Sequence, residues 1–189
     1  MIRLAIRIAP VALALAAAGG CTTVAPNYNP SVDNIQKLRD SGAAPARVGT
    51  FEPKLVSGQR DDYIQLRASN MESPYGGKFT TYIEQALKAD LAAAQLLDEK
   101  SNVVIGGVVT KNDVSVGSMS EGTGEIEARV TVKRGGETRY DKVKSAKVTF
   151  ESSFAGAVAI PAGRRAYPGL VQNFIAALFA DPEFIAALK

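Results

Sequence analysis

The clearest structural pattern in this chain lies between Glu125 and Phe150, in the segment EIEARVTVKRGGETRYDKVKSAKVTF. Apolar and polar residues alternate strictly from 125 to 133, which predicts a strand with one buried face and one solvated face. Gly135-Gly136 is typical of a two-residue hairpin turn. The returning half repeats the alternation, but Val143 is out of phase, so we expect a β-bulge between 142 and 145. The segment therefore predicts a long antiparallel hairpin.

Two segments on either side of the hairpin have the three- and four-residue apolar spacing of helices that bury one face. The first runs from Lys78 to about Gln95, and the second follows Pro168 and ends near Phe179. A shorter helix is predicted over 31–40. Another follows Asp181-Pro182, which reads as an N-cap with proline in the first turn.

The remaining segments complete the predicted fold. Short β segments are expected at 47–52, 63–68 and 103–109. Loops are expected at 69–77, 117–124 and 156–165, where glycine, proline and serine concentrate. The pattern predicts a single α+β domain over residues 31–189, with an antiparallel sheet of about four to five strands and two main helices on one face.

The first 21 residues, MIRLAIRIAPVALALAAAGGC, have the parts of a bacterial export signal. Arg3 and Arg7 form a positive start, and the apolar run from Ile8 to Ala18 is too short to span a bilayer. The small residues before Cys21 resemble the lipobox of bacterial lipoproteins, in which this cysteine is acylated and becomes the first residue. Where that family usually has leucine, this chain has Ala18. Ordinary secretion, with cleavage after Ala18 and a free thiol, is the alternative.

Lipidation of Cys21 is the favoured prediction, because a lone exported cysteine otherwise has no role. Several acyl chains on one residue would anchor the protein stably in a membrane. Thr22, rather than aspartate, follows the cysteine. By resemblance to lipoprotein sorting in Gram-negative cells, this implies the outer membrane, with the domain facing the periplasm. Residues 22–30 contain two prolines and two asparagines and predict a tether between anchor and domain.

The composition excludes several classes of protein. The chain has 189 residues, of which 46% are hydrophobic and 22% charged, as in ordinary folded domains. It has no histidine, the usual acid–base group and metal ligand, and its single cysteine cannot form an intramolecular disulfide. Once Arg3 and Arg7 leave with the signal, 20 basic residues face 19 acidic ones. This balance gives no indication of nucleic-acid binding.

The candidate catalytic and ligand-binding motifs are weak. Glu125 and Glu127 could form a carboxylate pair, but they share the polar face of a strand, which favours solvent exposure. Gly76-Gly77-Lys78 lacks the spacing of a phosphate-binding loop, although the start of the following helix could hold an anion. Ser118 and Ser120 have no histidine partner. We predict no catalytic residue, no metal site and no cofactor.

Basic residues concentrate around the hairpin and form the one candidate surface besides Cys21. A solvated hairpin that resists edge-to-edge pairing is the simpler interpretation. The functional alternative is contact with anionic headgroups, lipopolysaccharide or an acidic partner. The six residues are Lys133, Arg134, Arg139, Lys142, Lys144 and Lys147.

The order of these features resembles small outer-membrane lipoproteins of the YajG type. The resemblance is carried by the lipobox, the helix FTTYIEQALKADL, the Lys-rich strand ending in Ser152-Ser153-Phe154, and the final DPEFIAAL. It covers roughly residues 60–189 and is architectural. More distantly the chain is similar to the lipopolysaccharide-assembly protein LptE and to auxiliary lipoproteins of ABC transporters. The resemblance implies no catalytic residues.

These observations favour a noncatalytic lipoprotein that acts as a binding or assembly module for an envelope complex. The alternative is a lipid- or glycolipid-handling accessory of a transport system, which would use a groove between sheet and helices. An enzyme is the third hypothesis. A continuous apolar cavity would favour lipid handling, and a filled core with an exposed apolar patch would favour protein binding.

Overall fold

The structure is a computed structural model and describes residues 21–189. Seven strands and four helices lie in this part of the chain. The strands are β1 (Cys21–Val24), β2 (Arg47–Pro53), β3 (Ile64–Leu66), β4 (Ser69–Glu72), β5 (Val103–Ser115), β6 (Glu121–Arg134) and β7 (Glu137–Glu151). The helices are α1 (Val32–Asp40), α2 (Phe79–Ala93), α3 (Gly156–Phe179) and α4 (Pro182–Ala187).

The strands form two mixed sheets. The smaller has the order β1-β4-β3, with β1 parallel to β4. The larger has the order β2-β5-β6-β7, with β2 parallel to β5 and the other pairs antiparallel. The predicted α+β class is confirmed. The structure differs from the predicted single antiparallel sheet in two ways. The strands divide between two sheets, and β1 and β2 each join a sheet as a parallel partner, which their long connections permit.

The hairpin of β6 and β7 is present, but its bulge is not where we predicted it. Val132 pairs with Tyr140 and Lys133 with Thr138, which leaves Arg139 as the extra residue next to the turn. Pairing is regular through 142–145, and Val143 stays on the outer face, 57% exposed. The strict alternation of the two faces of β7 therefore continues through this stretch, with Lys142 and Lys144 on the helix-facing side and Val143 on the outer side.

Helix α3 is longer than predicted, because residues 156–165 are helical and do not form a loop. Pro161 and Pro168 both lie inside it. Gly163 allows the helix to approach the end of β5 closely, since a Cβ at this position would lie 2.7 Å from Val116 Cγ1. This tertiary packing outweighs the local preference of proline and glycine against helix interiors.

Large side chains fill the core between the helices and the larger sheet. Phe79 and Tyr82 of α2 meet Tyr167 of α3, and none of the three is exposed. The ring centroid of Tyr167 lies 4.9 Å from that of Phe79 and 5.0 Å from that of Tyr82, in edge-to-face contacts. Such contacts stabilise aromatic pairs beyond the area they bury. The interior groove that a lipid-handling protein would need is therefore occupied at this position.

Candidate functional site

Cys21, the predicted lipidation site, begins β1, and its backbone pairs with Ser69 at the start of β4. The predicted signal, residues 1–20, lies outside the described residues. The turn at 67–68 joins β3 to β4 directly beside this pair. Cys21 therefore lies at the end of the smaller sheet that carries this turn.

Residues 22–30, for which the sequence predicts a tether, lie against the domain. Residues 21–24 are paired with β4, Ala25 N–H donates to the carbonyl of Glu72, and Ala25 and Tyr28 are buried. The hydroxyl of Tyr82 donates to the carbonyl of Pro26 at 2.9 Å. The residues whose polar composition predicts a linker instead form backbone and side-chain hydrogen bonds with the rest of the domain.

Asp90 of α2 binds the N-terminal segment through hydrogen bonds. Its carboxylate is unexposed and accepts hydrogen bonds from the Tyr28 hydroxyl at 2.9 Å, the Asn34 amide at 3.1 Å and the backbone N–H of Ser31 at 3.2 Å. Burial raises the pKa of Asp90, while these hydrogen bonds act in the opposite direction. Burial and the neighbouring Asp90 raise the pKa of Tyr28.

We call the part of the molecule around Cys21 the anchor end and define it by Cys21, the turn 67–68 and the two loops 116–120 and 152–155. Arg67 joins the loops: its guanidinium donates to the carbonyls of Val116, at 2.8 and 3.0 Å, and Ser153, at 2.8 Å, and also to that of Phe154. Ser152 N–H donates to the carbonyl of Ser120 at 2.9 Å. The loops form one surface next to the first described residue.

Large apolar side chains are exposed at the anchor end. Met119 is 76% exposed and Phe154 77%, and Val158 in the first turn of α3 is 54% exposed. Sequence reasoning passed over these residues, because single apolar residues among serines are unremarkable in a loop. The signal that could have found Phe154 is its place in the uncharged stretch 152–158.

The candidate basic surface is divided by the structure. Lys142 and Lys144 lie on the helix-facing side of β7, and their ammonium groups pair with Glu183 and Asp181 of the C-terminal segment. The Lys144 Nζ–Asp181 Oδ2 distance is 2.6 Å, and the Lys144 side chain is 24% exposed. Lys147 lies 3.5 Å from a carboxylate oxygen of Glu125. These lysines therefore have carboxylate partners within the domain.

Asp181 is the centre of the contact between β7 and the C-terminal segment. Besides Lys144, its carboxylate accepts hydrogen bonds from the Tyr140 hydroxyl and the backbone N–H of Glu183, each at 2.9 Å. The second of these bonds caps α4, as predicted. Burial opposes ionisation, but the bonds from Lys144 and Tyr140 outweigh it and lower the pKa of Asp181 to about 2.

The other three basic residues, Lys133, Arg134 and Arg139, lie at the turn of the hairpin, and we call them the hairpin tip. Lys133 and Arg139 are exposed. Arg139 lies 3.0 Å from Glu137. Within residues 21–189, Lys133 and Arg134 have no ion pair, and Arg134 Nη2 has no hydrogen-bond partner. The hairpin tip is thus the part of the candidate surface whose charge is least neutralised.

The hairpin separates the hairpin tip from the anchor end. Glu121 pairs with Glu151 beside the anchor-end loops, and Arg134 pairs with Glu137 at the opposite end of the same ladder. At about 3.3 Å per residue, the ladder is roughly 40 Å long. Cys21 and the three basic residues of the hairpin tip therefore lie near opposite ends of the hairpin, while Lys142, Lys144 and Lys147 lie along its length.

A cleft of about 590 Å³ opens beside the anchor end, between the 57–65 segment and the end of β5. Arg60 lies over the ring of Tyr63, 5.0 Å from its centroid, and pairs with Asp62 at 2.8 Å. Asp113, whose pKa is raised by burial, and Arg67 also line the cleft. These groups could bind a polar headgroup or a sugar more readily than an acyl chain.

The weaker motifs have structural roles. Glu125 pairs with Lys111 at 2.7 Å, and Glu127 accepts a hydrogen bond from the Thr110 hydroxyl at 2.7 Å. The start of α2 holds no external anion site, because Asp61 accepts from the backbone N–H and hydroxyl of Thr80, both at 2.8 Å. Among the described residues, no three acidic or cysteine side chains are grouped as metal ligands.

None of the helices in the described part of the chain is both long and apolar enough to cross a membrane.

The comparisons with known proteins show the fold and nothing further. No family model matches this chain, and no curated protein matches it. The crystal structure of protein XCC0632 from Xanthomonas campestris, whose family model is DUF330, is similar to it with a TM-score of 0.54. The match covers 84% of this chain and 95% of that chain at 10% sequence identity. The resemblance to the YajG type remains a prediction.

Proposed function

We propose that this chain is a noncatalytic outer-membrane lipoprotein, anchored through acyl chains on Cys21, that acts as a binding or assembly module for an envelope complex. One observation carries the proposal: the least neutralised basic residues lie at the hairpin tip, roughly 40 Å from the anchor end. With Cys21 held at the outer membrane, the charged hairpin tip would lie away from that membrane, where it can contact a partner protein. The partner would be an envelope protein with an acidic surface.

The filled core supports the same function over lipid handling. The contacts among Phe79, Tyr82 and Tyr167 fill the space between α2 and α3 and leave no groove for an acyl chain there. A role as lipid- or glycolipid-handling accessory is therefore the second candidate. It is favoured by one feature, the polar cleft with Arg60, Tyr63 and Asp113, which could receive a headgroup.

The test is crosslinking in intact envelopes, followed by mass spectrometry of what co-purifies with the full-length protein. We expect one protein in stoichiometric amount, lost with Cys21→Ala and weakened by the double reversal Lys133→Glu/Arg139→Glu. The matched control is Arg164→Glu/Arg165→Glu, since this exposed basic pair lies on α3 away from the hairpin tip. The control should retain the partner.

Two results would count against the proposal. Equal loss with both charge reversals would mean that net charge, rather than the hairpin tip, governs association. Enrichment of lipid with no protein would favour lipid handling, and Tyr63→Ala should then lower the amount of lipid bound.

A further inference from the structure

We propose that the anchor end seats directly on the phospholipid bilayer, with Met119, Phe154 and Val158 inserted at the boundary between headgroups and acyl chains. This inference rests on anchoring at Cys21. It adds an orientation: the domain lies against the membrane, and the hairpin points away from it.

The exposed apolar residues make the first argument. Phe154 is the one exposed phenylalanine of the seven in the chain, and all seven lie in the described part. Met119 is on the loop that is hydrogen-bonded to the Phe154 loop, and Val158 lies one helical turn beyond Phe154. Scattered apolar residues need no explanation, whereas three on one surface indicate a contact.

The distribution of charge makes the second argument. Residues 117–120 and 152–158 contain no charged side chain. Glu121 and Glu151 face each other on the adjoining strands, behind the loop tips. Arg67 directs its guanidinium at loop carbonyls. The uncharged loop segments can enter the headgroup region without the cost of burying ions.

The position of Cys21 indicates that the bilayer, rather than a protein, covers the anchor end. Neighbouring strands lie about 4.8 Å apart, so the backbone of Cys21 is close to Ser69 and to the turn that carries Arg67. Because β1 is paired from its first residue, no free linker separates the acylated residue from the domain. Acyl chains on Cys21 would bring the anchor-end loops to the bilayer itself, and a protein partner there would compete with the membrane for space.

The test places an environment-sensitive fluorophore on single cysteines introduced into the full-length protein. The variants are Phe154→Cys, Met119→Cys and Val158→Cys, and the matched control is Val143→Cys. Val143 and Val158 are equally exposed valines, at 57% and 54%, but Val143 lies midway along the hairpin. Each protein is reconstituted into vesicles of phosphatidylethanolamine and phosphatidylglycerol, with or without lipids that carry a quencher just below the headgroup.

We expect about twofold stronger quenching at 119, 154 and 158 than at 143, since interfacial apolar side chains reach some 5–10 Å into the membrane. Flotation of the vesicles and the mass of the Cys21 peptide report anchoring separately. Protein that floats with acylated Cys21 but shows equal quenching at 158 and 143 would overturn the seating and leave the anchoring intact. Protein that neither floats nor shows quenching would overturn both.

The chain without an added cysteine is a further control. Acylated Cys21 has no free thiol, so the native protein should take up no fluorophore. Labelling of the native protein at Cys21 would contradict the anchoring on which the inference rests.

Discussion

Two aspartates are buried in this protein in opposite ways. Among residues 21–189, no cation is paired with Asp90, which lies among neutral donors from Tyr28, Asn34 and the backbone of Ser31. Asp181 accepts from Lys144, as well as from Tyr140. Burial raises the pKa of Asp90, whereas the charged partner outweighs burial and lowers that of Asp181. The deeper burial of Asp90 and the charged partner of Asp181 together give pKa shifts of opposite sign.

Each aspartate also explains one difference between the structure and the sequence-based expectation. Asp90 holds the segment that reads as a tether, because it binds residues 28–34 across more than fifty positions of chain. Asp181 withdraws Lys144 from the surface that reads as uniformly basic. Each aspartate is far in sequence from these residues, so neither set of contacts produces a local sequence pattern.

The largest expected effect is that of Asp90→Ala. It leaves the donors of Tyr28, Ser31 and Asn34 buried without an acceptor, and we expect a loss of about 3 kcal/mol in the free energy of unfolding. Urea denaturation followed by circular dichroism measures it, with exposed Asp33→Ala as control. A loss as small as that of the control would mean that the Asp90 contacts do not hold the N-terminal segment.

Lys144→Glu should have the next largest effect. It sets a second carboxylate against Asp181 where the side chain is only 24% exposed, and we expect a loss of about 2 kcal/mol. Lys142→Glu is the matched control on the same face, and its more exposed position makes a smaller loss expected. If both reversals left stability unchanged, Lys144 would belong to the open basic surface after all.

The pH dependence of stability should separate the two aspartates. The lowered pKa of Asp181 stabilises the fold above the unfolded pKa near 4, and this contribution is lost as the pH falls toward about 2. The raised pKa of Asp90 acts in the opposite sense: its contribution is present below about pH 4 and is lost as the pH rises through the raised value. The free energy of unfolding, measured from pH 2 to 8, should therefore change with pH in different ways in Asp181→Asn and in Asp90→Asn.

Asp181→Asn should flatten the profile between pH 2 and 4, and Asp90→Asn should remove the decline above that range. Identical profiles for the two variants would contradict the assignment of opposite shifts.

The smallest effect is expected for Lys142→Ala. Its partner Glu183 is well exposed, and such surface pairs contribute about 0.5 kcal/mol or less. A loss close to that of Lys144→Glu would show that the exposed pair holds α4 to the hairpin as strongly as the buried one. Thermal unfolding of the two variants side by side decides between them.

The elements that sequence reasoning found are those with a local signal. Helix α2 and the β6–β7 hairpin follow from apolar spacing and from Gly135-Gly136. β1 and β4 are four residues each and were missed. The partner of β1 comes from a distant segment, and β4 lies in the stretch 69–77 that its glycine, proline and serine residues mark as a loop. The first half of α3 was missed because Pro161 and Gly163 oppose a helix locally, and the close approach to Val116 that accounts for Gly163 involves a residue far away in the chain.

The candidate site was predictable to the same extent. Cys21 and the six basic residues can be named from the sequence, but the separation of Cys21 from the hairpin tip by the length of the hairpin cannot. Nor can the exposure of Phe154, since its neighbours on the anchor end come from a different loop.

The α+β class, the hairpin and the candidate lipidation cysteine can be read from local sequence, because periodicity and short motifs act over a few residues. Only in the folded domain do residues 22–30 pack against the helices, does Lys144 pair with Asp181, and do Cys21 and the hairpin tip lie at opposite ends. These properties depend on contacts between residues far apart in the chain, which form only when the whole domain folds.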